Sequence, residues 1–387
     1  MTGAASAWKR VAFLLFCVAW GANHFAALLL VYRGTLHLDA SGPALIFAMY
    51  ALGLVPGLLL AGPVSDRLGR RALVLPAALG AFVASIILAS GGESFATLLL
   101  GRFLYGMAAG SAMGPGAVWV LELSSGEASS GAGARRATIA LTAGFAFGPL
   151  SSGVLAQWAP HPTVLPYVVL LATLAIAIAL ALGVPTPPAR TGSPRPWLSL
   201  GLNAQNRRPF LLGVALMAPF VFAFPTISFA TIPNMLGGGL GSAPVAFIGL
   251  LAAVTMTAGV LAQPLTRGLM PLRSARLGLG AGVLALLLGI LAVHWGARWM
   301  LFVTAPLLGV GYGTCMTAGL RSVEALSVPE TRGGLTGVYY VLTYIGFAAP
   351  YALAVAQRAW APEAVLGGVA VLAAGAAVGL RRVAGNA

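Results

Sequence analysis

Twelve apolar runs, each about 20 residues long, leave this chain few architectures. That length of helix rises about 30 Å, the thickness of a bilayer's hydrocarbon core, where each backbone N–H and C=O must be bonded within its own segment. The runs fall near Val11–Val31, Pro43–Ala61, Ala72–Ala89, Thr97–Leu121, Ala137–Trp158 and Val164–Val184, then Phe210–Leu236, Ala243–Pro264, Ser274–Trp295, Trp299–Arg321, Leu335–Gln357 and Ala364–Leu380. Pro219, Pro225 and Pro233 interrupt the seventh. A Pro- and Arg-rich break from Pro185 to Arg208 separates the sixth run from the seventh. It divides the chain into residues 1–184, a linker over 185–208, and residues 209–387.

Charge gives the orientation. A chain that is 59 % hydrophobic and 8 % charged is not a soluble globular protein. Its net charge of +14 does not describe a nucleic-acid groove, because the arginines stand in pairs and triplets between apolar runs. That pattern suits anionic lipid headgroups and the positive-inside rule, so membrane lipid is the expected partner and nucleic acid is not. With the N-terminus inside, 18 of the 22 basic residues lie in inner segments, and only Arg33, Arg298 and Arg358 lie in outer ones; Arg102 is within the fourth run. A multi-pass protein of the cell inner (plasma) membrane with both termini cytoplasmic is expected. Lys9 and Arg10, before a long first run, read as a retained signal anchor. Cys17 and Cys315 both sit in apolar runs, so neither a disulfide framework, a metal site nor another cofactor is implied.

The two halves repeat. Asp66-Arg67 corresponds to Thr266-Arg267, Glu122 to Glu324 and Pro149 to Pro350, at offsets of 200, 202 and 201. Three landmarks at nearly one offset indicate two six-helix units in parallel orientation. The second unit keeps the arginine but has lost the acid.

Gly62-Pro63-Val64-Ser65-Asp66-Arg67-Leu68-Gly69-Arg70-Arg71 packs one acid and three arginines into a glycine-bounded turn between the second and third runs. Its Gly62, Asp66, Arg67, Gly69 and Arg70 resemble the loop signature of the major facilitator superfamily. Arg102-Phe103-Leu104-Tyr105-Gly106 is similar to that family's fourth-helix motif, with Tyr105 where glutamine is usual. Gly144, Gly148, Pro149 and Gly153 resemble the fifth-helix motif of its twelve-helix drug/proton antiporter branch, with Ser152 replacing one glycine. Gly144 and Gly148 form a small-xxx-small face for close helix contact, and Pro149 bends the helix.

The resemblance implies an all-α integral membrane fold: twelve transmembrane helices in two pseudo-symmetric six-helix bundles around a midplane cavity. It implies that Asp66 meets a helix N-terminus and nearby arginines, with Glu122 as a further member, and so locks or releases the helix ends. It also places the first, fourth, seventh and tenth helices at the centre. Their candidate cavity residues are Trp20, Asn23, Tyr105, Met113, Phe224 and Tyr312, joined by Tyr340 and Tyr344 of the eleventh. Aromatic, charge-poor walls suit hydrophobic or amphiphilic small molecules.

No acid falls near the middle of any run: Asp39, Glu93 and Glu363 belong to outer loops, and Asp66, Glu122, Glu127, Glu324 and Glu330 to inner loops or helix ends. This departs from many proton-coupled exporters. Two ionisable residues enter the runs instead. Arg102 is a functional candidate by the cost of a charge in lipid, the alternative being that it snorkels to the outer interface. His24, beside Asn23, is the best remaining proton carrier, the alternative being a neutral ring satisfied by its neighbours. The expectation is a non-enzymatic, monomeric secondary transporter that exports small molecules in exchange for protons by rocker-switch alternating access. An uptake permease or facilitator and a non-transporting membrane sensor are the alternatives.

Overall fold

The computed structural model describes residues 7–124, 132–185, 201–266, 268–328 and 332–385. Glu127, Arg190, Arg195, Arg267, Glu330 and most of the expected linker lie outside the described residues. Everything regular among the described residues is helical. Six helices occupy the first half: α1 (Ala7–Thr35), α2 (Ser41–Leu68), α3 (Arg70–Ser90), α4 (Phe95–Leu123), α5 (Ala132–Trp158) and α6 (Leu165–Leu182). The second half holds α7 (Arg207–Met235), α8 (Pro244–Leu265), α9 (Pro271–His294), α10 (Arg298–Ala325), α11 (Gly334–Ala356) and α12 (Pro362–Arg381). Eleven of these are long and apolar enough to cross a membrane. The exception is α4, whose Arg102 and small residues lower its apolarity although it spans 29 residues.

Two compact units form. One comprises 1–38 and 49–197; the other comprises 39–48 and 198–387. Within the first, α1 packs on α4, α5 and α6, and α3 packs on α4 and α6. Within the second, α7 packs on α10 and α11, and α9 on α10 and α12. Glycine-mediated seams join helices within each unit. In the first, Gly53 and Gly57 of α2 face Gly106 and Gly110 of α4, and a methyl group at any of the four would strike backbone of the opposite helix. In the second, Gly259 of α8 faces Gly309 and Gly313 of α10 in the same way. Backbones can approach so closely only where Cβ is missing, and in lipid such contact replaces the hydrophobic drive between helices.

Prolines explain where helices depart from regularity. The wide, π-helical turns of α7 cover Phe210–Ala215 and Ile227–Thr231. Pro219 follows Ala215 by four residues and Pro233 follows Phe229 by four, so each ring meets a carbonyl in the widened turn and leaves it without its usual donor. The seventh run is thus one continuous 29-residue element. The turn expected from Gly62 to Arg71 is shorter than the charges indicate. Residues 62–68 continue α2, α3 starts at Arg70, and Gly69 alone joins them. Gly69 has φ 90°, a left-handed conformation that glycine adopts without steric cost.

Candidate functional site

At the α2–α3 junction the sharp reversal brings charge together. Asp66 ends α2 and Arg70 opens α3, with Arg70 Nη1 2.6 Å from Asp66 Oδ1. Ser65 accepts from the same nitrogen at 2.6 Å, and Arg70 Nε lies 3.4 Å from Oε1 of Glu122, near the end of α4. Arg70 is only 10 % exposed, so its guanidinium is removed from water and held by two carboxylates and a hydroxyl. Charge-assisted bonds in such surroundings are among the stronger ones a protein makes. Arg67 points outward and Gly62 has open space around it. The neighbouring Arg71 turns elsewhere and donates to the carbonyls of Leu182 and Val184 at the end of α6.

Deeper in the first unit lies a polar cluster sealed from solvent. Arg102 is fully buried, and its guanidinium carbon stands 4.9 Å from the Phe25 ring centroid and 4.7 Å from that of Tyr50. One of its amino groups donates to the Ala22 carbonyl at 3.1 Å. Arg102 therefore does not snorkel: α4 starts seven residues before it, and aromatic faces surround the charge. Tyr105 is also fully buried and donates to the Val18 carbonyl at 3.0 Å, in space that Gly21 leaves.

His24 is buried as well. Trp20 Nε1 donates to its Nδ1 at 3.1 Å, so the neutral ring carries its proton on Nε2. Its ring lies 5.0 Å from that of Tyr167. Asn23 donates to the Phe145 carbonyl of α5, and Ser152 donates to the His24 carbonyl at 2.7 Å. The α5 motif makes these contacts possible. A methyl group on Gly144 would meet Phe16 and Trp20, and one on Gly148 would meet the backbone of Trp20 and His24. Pro149 and Gly153 are buried beside them. The serine that departs from the motif's glycine thus spends its hydroxyl on the helix carrying His24. Met113 is buried on α4.

The second unit has no buried cation of this kind among its described residues. It has an aromatic cluster. Phe222 stacks on Tyr344 at 4.7 Å and lies 5.7 Å from Tyr312 and 4.9 Å from Phe347; Tyr340 stands 6.3 Å from Tyr344. Phe222, Tyr340 and Tyr344 are half-buried and Tyr312 is buried at 9 % exposure. Phe224 does not belong here. It is fully buried against Gly282 and Gly311, where the missing side chains of α9 and α10 make room for its ring. Two residues along a helix turn a side chain by about 200°, so Phe222 and Phe224 take opposite faces, and Phe222 is the cavity candidate.

A family profile described as Major Facilitator Superfamily matches residues 11–350. The chain belongs to this superfamily. It is accordingly a multi-pass membrane transporter, not an enzyme. Among curated relatives, the glucose transporter GlcP of Staphylococcus epidermidis is 30 % identical over 97 residues, 25 % of this chain and 21 % of that protein. The multidrug resistance protein MdtL of Escherichia coli is 39 % identical over 64 residues, 16 % of each. The chain thus matches about a fifth or less of the length of these relatives. Solved structures of the peptide transporter POT in complex with sulfate and of the nucleoside transporter NupG cover 98 % of the chain, and 94 % and 98 % of their own lengths. Their TM-scores are 0.78 and 0.70 at 15 % and 14 % identity, which is a likeness of fold.

Within this superfamily member, three participants escaped the motif reading. Phe25 and Tyr50 flank Arg102, and Phe347 closes the aromatic cluster. Each is one aromatic among many apolar neighbours. The only sequence signal was that a buried guanidinium needs aromatic or polar faces around it.

Proposed function

We propose that this transporter exports hydrophobic or amphiphilic small molecules in exchange for protons, by rocker-switch alternating access in the cell inner membrane, with its basic helix ends and both termini cytoplasmic. The observation that carries the reading is the seating of Gly144 and Gly148 of α5 on the backbone of α1 at Trp20 and His24. It joins the antiporter-like motif to the buried His24–Arg102 cluster, and the short match to MdtL supports the same branch. In this reading Asp66, Arg70 and Glu122 form a gate, with Gly62, Arg67 and Gly69 shaping its turn. His24 and Arg102 couple protons to substrate. Trp20, Asn23 and Met113 are the substrate-facing candidates of the first unit, and Tyr312, Tyr340 and Tyr344, with Phe222 in place of Phe224, those of the second, whereas Tyr105 is packed against Gly21 and lines no cavity. The chain works as a monomer.

A second reading, an uptake permease or facilitator for a small organic solute, is favoured by one observation: among the described residues no carboxylate lies in the middle of a helix. One experiment separates the two. Inverted vesicles carrying the protein and given an inside-acid gradient should accumulate a lipophilic dye, and a protonophore should abolish the accumulation. Uptake that persists after the gradient is collapsed would exclude proton exchange and favour the facilitator.

A further inference from the structure

We propose that the basic end of the first unit binds the headgroup of an anionic phospholipid, where Trp8, Lys9 and Arg10 of α1 meet Arg71 of α3, Arg136 of α5 and the end of α6. Several elements converge there. The Arg136 guanidinium carbon lies 3.9 Å from the centroid of the Trp8 ring, and Lys9 Nζ lies 5.8 Å from it. Arg71 approaches the last residues of α6 from α3, donating to Leu182 and Val184. Arg10 approaches the same residues from α1, with Nη1 3.3 Å from where a Cβ on Gly183 would stand. Two helices thus bring guanidinium groups to one helix end, while α5 stacks its own on Trp8 at another face of α1.

The charge of Lys9 and Arg10 is not consumed locally. Arg71 takes backbone carbonyls, whose partial charge at a helix C-terminus is about half an electron, shared over the last turn. Lys9 and Arg10 are exposed and meet no carboxylate among the described residues. Asp66 and Glu122, the carboxylates described at this end of the unit, are held by Arg70. Lys9 and Arg10 therefore present their charge outward, toward an anion.

The flank beside it selects a lipid over a free anion. Leu182, whose carbonyl receives Arg71, is 54 % exposed. Ile139, one turn along α5 from Arg136, is 61 % exposed. A phosphate on Lys9 and Arg10 would have its acyl chains directly against this apolar surface, with the Trp8 ring at the boundary where amphipathic aromatics are favoured.

The test uses the purified full-length chain in detergent, titrated by native mass spectrometry with phosphatidylglycerol, phosphatidylcholine and inorganic phosphate. Phosphatidylglycerol should bind preferentially. The exposed pair change Lys9→Gln with Arg10→Gln should weaken it by about thirtyfold, roughly fivefold per basic residue. The control pair Arg273→Gln with Arg276→Gln, equal in charge but on α9, should leave binding unchanged. Equal losses in both pairs would reduce the site to diffuse surface charge and overturn the proposal. So would equal retention of phosphatidylcholine, or competition by inorganic phosphate at concentrations comparable to the lipid's. Arg71→Gln removes the tie to α6 and loosens that corner of the fold, so the outcome is read from the Lys9/Arg10 pair.

Discussion

In the first unit a carboxylate closes the turn between α2 and α3; at the matching turn between α8 and α9, an arginine closes it without one. Asp66 and Glu122 share Arg70. Where Asp66 has its counterpart, Thr266 bonds its own Gln263 carbonyl. Arg321 reaches over from α10 to the carbonyls of Leu269, at 2.8 Å, and Thr266, at 3.5 Å. Glu324, the counterpart of Glu122, pairs with Arg332 at 3.3 Å, and both are largely exposed. The first arrangement consists of side-chain charges that can change partners. The second consists of a cation on backbone carbonyls of the turn, which cannot exchange partners as side chains do. Equivalent positions in a repeated fold therefore hold an ion-paired cluster, the gate of the proposed mechanism, in one unit and a cation on carbonyls in the other.

The comparison breaks most readily at Asp66. Asp66→Asn keeps the shape but removes the charge from a guanidinium that is only 10 % exposed. Charge-assisted contacts of this kind contribute about 1.5–3 kcal/mol, so turnover in proteoliposomes should fall at least about tenfold. Expression and monodispersity should hold, because Glu122 and Ser65 still accept from Arg70. A mutant that transports at the wild-type rate would remove the switch from the first unit and leave both turns merely structural.

Arg321→Gln should do the reverse. Losing a cation from a carbonyl-rich turn costs about 0.3–1 kcal/mol of stability, with no pair to exchange during transport. Thermal unfolding in detergent should move to lower temperature while the initial transport rate, measured below that transition, stays within about threefold of wild type. A rate as impaired as that of the Asp66 variant would show that the second turn switches too.

Much of this contrast was written in residue types. The loss of the acid at Thr266, the glycine spacing of α5 and the single arginine of α4 all stood in the chain before any geometry. Helix ends and side-chain directions did not. Pro63 and Gly62 look like turn residues, yet α2 runs through both, since in lipid a helix is the cheapest way to satisfy backbone groups. Phe222 and Phe224 are equivalent as apolar aromatics. Only Gly282 and Gly311, far along the chain, decide which of them is packed away. The depth of Arg102 was also open, because a long cation near a helix end can reach the interface; Phe25 and Tyr50 on other helices hold it inside.

The smallest expected effect sharpens the comparison from the exposed side. In the second unit Asp39 caps the start of α2, accepting from Ser41 and from the backbone N–H of Gly42 at 3.0 Å, while Arg358 Nη2 lies 2.6 Å from its Oδ2. The Ser41 hydroxyl first, and the Arg358 guanidinium next, hold this carboxyl below the usual carboxylate range. A pKa lowered by folding adds stability in full above the unfolded value, about 3.9, and the gain disappears as pH falls through the folded value. The side chains are 58 % and 62 % exposed, so water and salt screen the pair to no more than about 0.5 kcal/mol. Asp39→Asn should accordingly leave thermal stability at pH 7 within that margin. It should also remove a small loss of stability that the wild type shows as pH falls below about 4. Raised salt should shrink the difference further. A change as large as that of Arg321→Gln would mean that exposure does not separate weak ion pairs from strong ones in this protein, and that the burial of Arg70 is not what sets the first unit's charge cluster apart.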